Sequence, residues 1–372
     1  MTDLHVCALI GSALILSCVL AATASEAGAR PRQPGAMVPV RGLHTSAPGK
    51  RDLAAALEFV RESLPAEGVN TLIMEFNYNF DYQSRGEFAN RGAPGAKEAR
   101  QIAKACREKG IELIPQINCL GHQSWAARTG ALLTKHPEFD ETPGKYPSNK
   151  GIYCRSYCPL HPKVHEVLFD LIDELAKACE AKAFHVGMDE VFILADADCP
   201  RCKGKDPADL LAGEVKTLHA HLKQIGCRMW IWGDRFIDGK ATRIGKWEAS
   251  TNGTHPAVGR VPTDIVICDW HYNKAHKTPR FFVEKGFAVV ACPWRKPAVA
   301  LAQLADIRAI RGGPDRAAAA RALGFVQTTW CGFGPFLKAY KAQAAGAAPE
   351  KNAASESAHC FRSLCKAARE AK

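Results

Sequence analysis

The 372-residue chain lacks a basic stripe interleaved with aromatic residues, although its formal net charge is +11. Its lysines and arginines are scattered, so we do not expect it to bind nucleic acid. It also lacks a glycine-rich phosphate loop after the first apolar strand, which argues against a dinucleotide-binding Rossmann fold. Apolar residues, in contrast, make up 47% of the chain, enough for one large α/β domain or two ordinary ones.

The amino-terminal residues carry an apolar run followed by small residues, with an Ala-x-Ala pattern at Ala22-Thr23-Ala24. This pattern is typical of a secretory signal peptide, although no lysine or arginine precedes the run. A membrane anchor is the alternative, but the run is short for a bilayer span. We therefore expect a signal peptide over residues 1–24, a linker over 25–37, and export to the periplasm or beyond the cell. We expect the protein to contact a membrane only through the signal segment, and only if that segment is not cleaved.

From about residue 38, short β-rich apolar runs alternate with segments of helical periodicity. Nearly continuous apolar strands that alternate with helices indicate a parallel sheet covered on both faces. Eight such units favour a (β/α)₈ TIM barrel over an open doubly wound sheet. We predict one catalytic domain over residues 38–340, with no convincing helix over 233–263. The Ala- and Lys-rich residues 341–372 are predicted to be a tail of linker and short helix.

Aromatic residues follow each of the last four predicted strands. The active site of a TIM barrel lies at the carboxyl ends of its strands, so these side chains meet at one opening. Flat aromatic rings offer apolar faces that stack on sugar rings, while neighbouring polar groups bind the hydroxyls. The sequence therefore predicts a carbohydrate pocket walled by Trp232, Trp270, Trp294 and Trp330.

The stretch "AFHVGMDEVF" ends the fourth predicted strand with two adjacent carboxylates, Asp189 and Glu190. Side chains alternate between the two faces of a strand, so both enter one pocket only if the strand turns near Asp189. Neighbouring carboxylates push their pKa values apart, and one of them can then stay protonated as an acid. An isolated Asp-Glu is ordinarily a solvated loop start. Its place among eight strands makes this pair the candidate reaction centre.

Three motifs resemble strands of glycoside hydrolase family 20, the β-N-acetylhexosaminidases. "FHVGMDEV" looks like the family's strand-four signature, His-x-Gly-Gly-Asp-Glu-Val. "IELIPQINCLGHQS" is similar to its strand three, Ile-Pro-Glu-Ile-Asp-x-Pro-Gly-His. "VRGLH" resembles strand one, in which an arginine holds sugar hydroxyls. The likeness covers most of residues 38–335 and agrees in order and spacing.

The resemblance implies an exo-acting, retaining hydrolase that needs no cofactor and releases terminal β-linked N-acetylglucosamine or N-acetylgalactosamine from a glycan. In this family the substrate's own 2-acetamido oxygen attacks the anomeric carbon. By position, Glu190 would be the proton donor, Asp189 would orient the acetamido group, and Arg41 would hold ring hydroxyls. Tyr272 would hydrogen-bond the acetamido oxygen. The remaining implied pocket or supporting residues are His122, His185 and the four tryptophans, Trp232, Trp270, Trp294 and Trp330.

The chain departs from the family pattern at several positions. Met188 replaces the second signature glycine, Gln116 and Asn118 replace a glutamate and an aspartate, and no glutamate follows Trp330. The sugar preference is therefore open. A non-catalytic carbohydrate-binding barrel derived from the same family is the alternative interpretation.

Two close cysteine pairs, Cys154/Cys158 and Cys199/Cys202, lie in the loops around the fourth strand. If the loops are neighbours, the four thiols meet as disulfides or as a structural zinc site. A metal-dependent hydrolase built on these loops is a third interpretation. It is less favoured, because a hydrolytic zinc needs an open position and normally histidine or carboxylate ligands.

Overall fold

The computed structural model describes residues 38–370, so the predicted signal peptide and the predicted linker both lie outside the described residues and stay predictions. Within them, eight parallel strands form a closed ring in which each strand pairs with its sequence neighbours and β1 pairs with β8. The strands are β1 Val40–Ser46, β2 Thr71–Glu75, β3 Glu112–Cys119, β4 Ala183–Gly187, β5 Arg228–Trp232, β6 Val266–Trp270, β7 Ala288–Cys292 and β8 Ala322–Thr328. The predicted TIM barrel is confirmed.

Helices cover the outside of the barrel. The first, α1, starts as Leu53–Glu58 and continues through a π-helical turn, Phe59–Ser63, into Leu64–Ala66. The others are α2 Ala96–Glu108, α3 Ala131–Lys135, α4 Val164–Ala178, α5 Pro207–Gln224, α6 Thr278–Glu284, α7 Pro297–Arg311, α8 Arg316–Arg321, α9 Phe333–Ala344 and α10 Ala353–Glu370. As predicted, the connection from β5 to β6 has no α-helix, only the 3₁₀ turns Asp234–Phe236 and His255–Gly259. None of the helices described is long and apolar enough to cross a membrane.

The strands divide their side chains between two apolar layers. Alternate residues such as Ile73, Ile114 and Trp230 fill the lumen of the barrel. Their neighbours, such as Leu72 and Leu113, pack outward against the helices. This period-two alternation decides which residues of each strand reach the pocket at its carboxyl end.

The predicted carboxyl-terminal tail is instead part of the helical layer, so the boundary at residue 340 was wrong. Helix α9 continues to Ala344, and α10 buries Phe361, Leu364 and Cys365 against the rest of the domain. The guanidinium of Arg369 also pairs with the carboxylate of Glu67. The Ala-rich composition suggested a linker, but apolar residues recur along one face of α10 at helical spacing.

Loss of the buried ring of Phe361 tests whether α10 belongs to the cooperative core. Phe361→Ala is expected to lower the free energy of unfolding by about 3–5 kcal/mol, because it leaves a cavity in packed surroundings. Lys366→Ala, on the exposed face of the same helix, is expected to change it by less than about 0.5 kcal/mol. Denaturant titration followed by circular dichroism measures both. Equal stability of the two variants would show that α10 only lies on the surface.

Candidate active site

A cavity of about 820 Å³ opens at the carboxyl ends of the barrel strands. Predicted residues that line it are His122, Asp189, Glu190, Trp270, Tyr272, Trp294 and Trp330. A second cavity of about 780 Å³ lies at the opposite end, beside Ile111 and Cys227. We assign the chemistry to the first cavity, because TIM-barrel active sites form where the strands end.

The chain turns sharply after β4, and this turn brings both carboxylates into the pocket. Gly187, Met188 and Glu190 have φ values of 68°, 67° and 50°, all in the left-handed region. A strand that continued past Gly187 would send Asp189 and Glu190 to opposite faces. Gly187 is required here, because a Cβ at this position would lie 1.8 Å from Oδ1 of Asn118.

His122 stands between the two carboxylates. Its Nε2 lies 3.2 Å from Oδ2 of Asp189 and 3.2 Å from Oε2 of Glu190. Burial alone would lower the pKa of His122, but the charge of Asp189 and contacts with both carboxylates outweigh it and raise the pKa well above its usual range. The two carboxylates therefore favour the imidazolium form of His122, which compensates negative charge in the pocket.

Glu190 has the properties of a general acid. Burial raises the pKa of its carboxyl, the charges of Asp189 and Asp234 raise it further, and His122 opposes them. A raised pKa keeps a carboxyl protonated at a pH where ordinary glutamates are ionised.

Asp234, directly after β5, fixes the position of Glu190. Its Oδ2 accepts from the backbone N–H of Glu190 at 2.9 Å and from Nε of Arg235 at 2.7 Å. Its Oδ1 accepts from the indole N–H of Trp270 at 3.2 Å. Burial raises the pKa of Asp234, while the guanidinium of Arg235 opposes this shift. The carboxylate of Asp234 thus links Glu190, Trp270 and the loop after β5 through hydrogen bonds.

Arg235 extends this connection to the pocket rim. Its guanidinium is buried and donates to the carbonyl oxygens of Lys246 and Ala249, at 2.9 and 2.8 Å. Trp247 and Glu248, which lie between those acceptors, line the pocket. The helix-free connection after β5 is therefore an anchored loop that carries functional side chains.

Polar residues from the first three strands and the loops after them form the other side of the pocket; the sequence analysis noted Gln116 and Asn118 only as departures from the family pattern and did not assign His44 or Glu75 to the site. Oε1 of Glu75 accepts from the side-chain amides of Asn77 at 2.7 Å and Asn118 at 3.2 Å. His44 Nε2 lies 3.1 Å from Oε1 of Gln116, and burial lowers the pKa of His44 to about 4, so its ring is neutral. The sequence did contain a signal for these five residues. Alternate residues of a strand point to the same face, so counting every second residue from the lumen-facing positions to the end of each strand arrives at them.

Four aromatic residues form a continuous wall. The ring of Tyr272 lies 4.9 Å from that of Trp270 and 5.3 Å from that of Trp294. The indole N–H of Trp330 donates to the hydroxyl of Tyr272 at 2.6 Å. The wall is therefore held as one unit.

A second aromatic group lies at the rim. Trp125 and Trp247 are 60% and 46% exposed, and the ring of Tyr153 lies 5.2 and 5.0 Å from theirs. Large exposed aromatic side chains at a pocket mouth are suited to hold a group that extends outward from it.

The placement of Arg41 contradicts its predicted role. It is the second residue of β1, and its guanidinium donates to the carbonyl oxygens of Val38 and Gly68 at the amino end of the barrel. Arg41 also lies on the same face of β1 as Leu43, which points outward to the helices. His44 lies on the other face of β1 and reaches the pocket. Both its depth and its face direct Arg41 away from the pocket.

Two further predicted residues lie beneath the pocket in the lumen. His185 and Trp232 are fully buried, with ring centroids 4.5 Å apart. Trp232 also lies 5.8 Å from Trp330. These two side chains support the floor and the wall, and neither lines the cavity.

Histidine and carboxylate groups close enough to hold a metal occur twice around the pocket. His122 with Asp189 and Glu190 is explained by the ion pairs given above. His271 already uses both ring nitrogens, toward Glu248 at 2.9 Å and the hydroxyl of Thr278 at 2.9 Å. The protein's own contacts therefore account for both groups.

The cysteine predictions are partly wrong. Every cysteine within residues 38–370 is a free thiol, so of the two alternatives, disulfides or a structural zinc site, the structure does not form the disulfides. Cys158, Cys199 and Cys202 do meet, but their fourth neighbour is Glu141. The thiol of Cys154 lies instead 3.5 Å from the carbonyl oxygen of Glu190.

Comparison with known proteins decides the family. The model of the glycosyl hydrolase family 20 catalytic domain matches residues 88–297, more than half of the chain. The chain belongs to glycosyl hydrolase family 20. Its β4 signature and the Gly121-His122 turn lie inside the matched range.

Two curated relatives are each 24% identical to this family 20 chain. One is a lacto-N-biosidase from Bifidobacterium bifidum, matched over 52% of the chain and 16% of the relative. The other is a β-hexosaminidase from Vibrio furnissii, matched over 75% of the chain and 39% of the relative. The chain therefore spans well under half the length of these relatives.

Solved structures share the fold. A chitobiase from Flavobacterium johnsoniae has a TM-score of 0.58 at 19% identity, over 89% of this chain and 51% of its own. An exo-β-N-acetylglucosaminidase from Vibrio harveyi, bound to N-acetylglucosamine, has a TM-score of 0.55 at 15% identity, over 87% and 54%.

Alanine substitution at Gly187, in the turn after β4, and at Gly110, before β3, separates the cost of a strained backbone from the cost of steric crowding. Both have positive φ, but a Cβ at Gly110 meets open space. Gly110→Ala is expected to destabilise by roughly 1–2 kcal/mol, the usual cost of a left-handed alanine. Gly187→Ala is expected to cost roughly 1–3 kcal/mol more, because Asn118 must move. Urea unfolding measures both. Equal losses would mean that the turn is not packed against β3.

Proposed function

We propose that this family 20 chain is an exo-acting, retaining β-N-acetylhexosaminidase. It releases a terminal β-linked N-acetylglucosamine or N-acetylgalactosamine from a glycan. The observation that carries the proposal is the adjacent placement of Asp189 and Glu190 on one side of an aromatic-walled pocket. Their closest oxygen atoms and Nε2 of His122 all lie within 4.8 Å of one another.

This spacing favours retention by a nucleophile from the substrate. Inverting glycosidases hold their two carboxyl groups about 6.5–9.5 Å apart to admit a water. Asp189 and Glu190 are closer than that, and they share one side of the pocket instead of flanking a sugar. The 2-acetamido group of an N-acetylhexosamine then provides the nucleophile on the other face of the anomeric carbon.

The chemistry assigns a separate task to each carboxylate. Glu190 donates its proton to the glycosidic oxygen as the bond to the anomeric carbon breaks and the acetamido oxygen bonds to that carbon. Asp189 accepts from the acetamido N–H and compensates the positive charge of the cyclic intermediate. Its Oδ1 is buried without a hydrogen-bond partner among residues 38–370, as an acceptor reserved for a substrate amide would be. Water then opens the ring and gives its proton to Glu190.

Other pocket groups fit the rest of the sugar. The wall of Trp270, Tyr272, Trp294 and Trp330 offers a flat apolar surface for the sugar ring or the acetamido methyl. Burial raises the pKa of Glu248, but the His271 ring and the backbone N–H of Tyr272 outweigh it and lower the pKa overall. An ionised Glu248 at the pocket edge is a strong acceptor for a sugar hydroxyl.

Substitution of the pair tests the proposal on 4-nitrophenyl N-acetyl-β-glucosaminide and its galacto isomer. Glu190→Gln is expected to lower kcat about 10²–10⁴-fold by removing the acid. Asp189→Asn is expected to lower it about 10²–10³-fold by removing charge stabilisation. Glu284→Gln, an exposed glutamate on α6, is the control and should keep wild-type kcat. Nitrophenol release gives the rates.

Two outcomes would contradict the proposal. Wild-type protein that binds N-acetylglucosamine by calorimetry but hydrolyses neither glycoside would be the non-catalytic binding barrel. Unchanged activity in Glu190→Gln would show that another group protonates the leaving oxygen.

The pH profile tests the coupling between Asp234 and the acid. Glu190 must be protonated, so kcat/KM falls as the pH rises through its raised pKa. Asp234→Asn removes a negative charge that raises this pKa. The basic limb of the profile should therefore move to lower pH. Asp269→Asn is the control, a buried carboxylate that is not among the groups with the largest effects on the pKa of Glu190. If Asp234→Asn lowers kcat/KM but leaves the basic limb of the pH profile in place, Asp234 has only a structural role.

A further inference from the structure

Three thiols and a carboxylate meet beside the active site, in a place that the proposed hydrolysis does not use. The Sγ of Cys158 lies 3.4 Å from that of Cys202 and 3.5 Å from that of Cys199. One oxygen of Glu141 lies within 4.8 Å of all three sulfur atoms. All four residues are buried, and none lines the active-site pocket.

The spacing fits metal coordination better than a disulfide. Bonded sulfur atoms are only about 2.0 Å apart. A tetrahedral zinc with zinc–sulfur bonds of roughly 2.3 Å places its sulfur ligands about 3.8 Å apart, near the observed separations. One sulfur close to two others is also the arrangement of a shared ligand sphere, whereas a disulfide joins two sulfurs and leaves the third unpaired.

Glu141 gives an independent indication. Its Oε1 accepts from the backbone N–H of Asp196 at 3.2 Å. Its Oε2 is buried and has no donor in good hydrogen-bonding geometry among the described residues, and the side chains that act on the carboxylate are the thiols of Cys199 and Cys202. A buried carboxylate oxygen is costly unless it is paired or coordinates a metal.

We propose that Glu141, Cys158, Cys199 and Cys202 bind a structural zinc ion. Four protein ligands leave no open position, so the site is closed and not hydrolytic. Each thiol releases its proton on binding. Three thiolates, one carboxylate and Zn²⁺ sum to a charge of about −2.

The Cys199-x-x-Cys202 segment has the local geometry of a ligand loop. The backbone N–H of Cys202 points at the sulfur of Cys199, 3.4 Å away. An N–H directed at a thiolate stabilises its negative charge and fixes its position. This contact requires the tight turn that a two-residue spacing produces.

The metal would join two loops that carry active-site residues. Glu141 and Cys158 belong to the long connection after β3, which also supplies Tyr153 to the pocket. Cys199 and Cys202 belong to the loop after β4, which begins with the catalytic pair. Zinc would therefore fix the separation of Tyr153 and Glu190. Zinc binding itself does not depend on the proposed hydrolysis.

Metal analysis of the full chain tests the site without using activity. Protein purified in zinc-containing medium and dialysed should hold one zinc per chain by mass spectrometry of the metal. The Cys199→Ser and Cys202→Ser variants should each lose most or all of this zinc. Cys154→Ser is the matched control, a buried thiol in the same connection but outside the cluster, and should keep the full content.

A cobalt derivative of the wild-type chain identifies the ligands without relying on variants that fail to fold. Thiolate-to-cobalt charge-transfer absorption and strong visible bands are expected for tetrahedral coordination by sulfur. Glu141→Gln should change the visible bands and weaken binding while it retains the charge-transfer absorption. A chelator should lower the Tm of the zinc-loaded chain, because metal bound only by the folded state stabilises it.

Three results would overturn the inference. One is wild-type protein without zinc whose three thiols all react with a thiol reagent under native conditions. Another is an intact mass two daltons below that of the reduced chain, which would show a disulfide. The third is full zinc retention in both Cys199→Ser and Cys202→Ser.

Discussion

The active site depends on one buried carboxylate, Asp234. It accepts from the backbone of Glu190, the indole of Trp270 and the guanidinium of Arg235, and so links the ends of β4, β5 and β6. A carboxylate buried with a guanidinium is stable only when its donors are all in place. The positions of Glu190, the aromatic wall and the Trp247 loop are therefore set by one network. This explains how a barrel without a helix after β5 still keeps an ordered rim.

Charge in the pocket is balanced by histidine. Asp189, Glu190, Glu75 and Glu248 all line one cavity, and His122 provides the positive charge nearest the pair. In the family pattern implied by sequence, an arginine on strand one holds sugar hydroxyls. Here Arg41 points to the other end of the barrel, and neutral His44 occupies the pocket side of β1. Under the proposed function, recognition of ring hydroxyls thus falls to carboxylates and amides of the pocket.

The barrel and the convergence of Asp189 and Glu190 in one pocket were predictable because both follow from local rules. Alternating apolar strands and helices specify the barrel, and the turn after Gly187 was the single condition for Asp189 and Glu190 to converge. Arg41 was misplaced because the resemblance supplied a residue type, while strand depth and parity decide where it points. The tail was predicted to hold only a short helix, and the length and packing of α10 were missed because its apolar stripe lies within an Ala-rich composition. The meeting of Cys158 with Cys199 and Cys202 was expected, but the place of Glu141 beside them was not predictable, since it depends on the path of a long irregular loop.

In the proposed mechanism the substrate's acetamido oxygen is the nucleophile, Asp189 orients the acetamido group, and Glu190 protonates the leaving oxygen. The most direct measurement compares aryl β-glucosaminides whose N-acyl group carries zero, one, two or three fluorine atoms. Fluorine withdraws electrons from the carbonyl oxygen and changes little else near the anomeric carbon. The account predicts that kcat falls steeply with each added fluorine. A kcat that is independent of fluorination would show that the acetamido group does not attack, and would contradict the account.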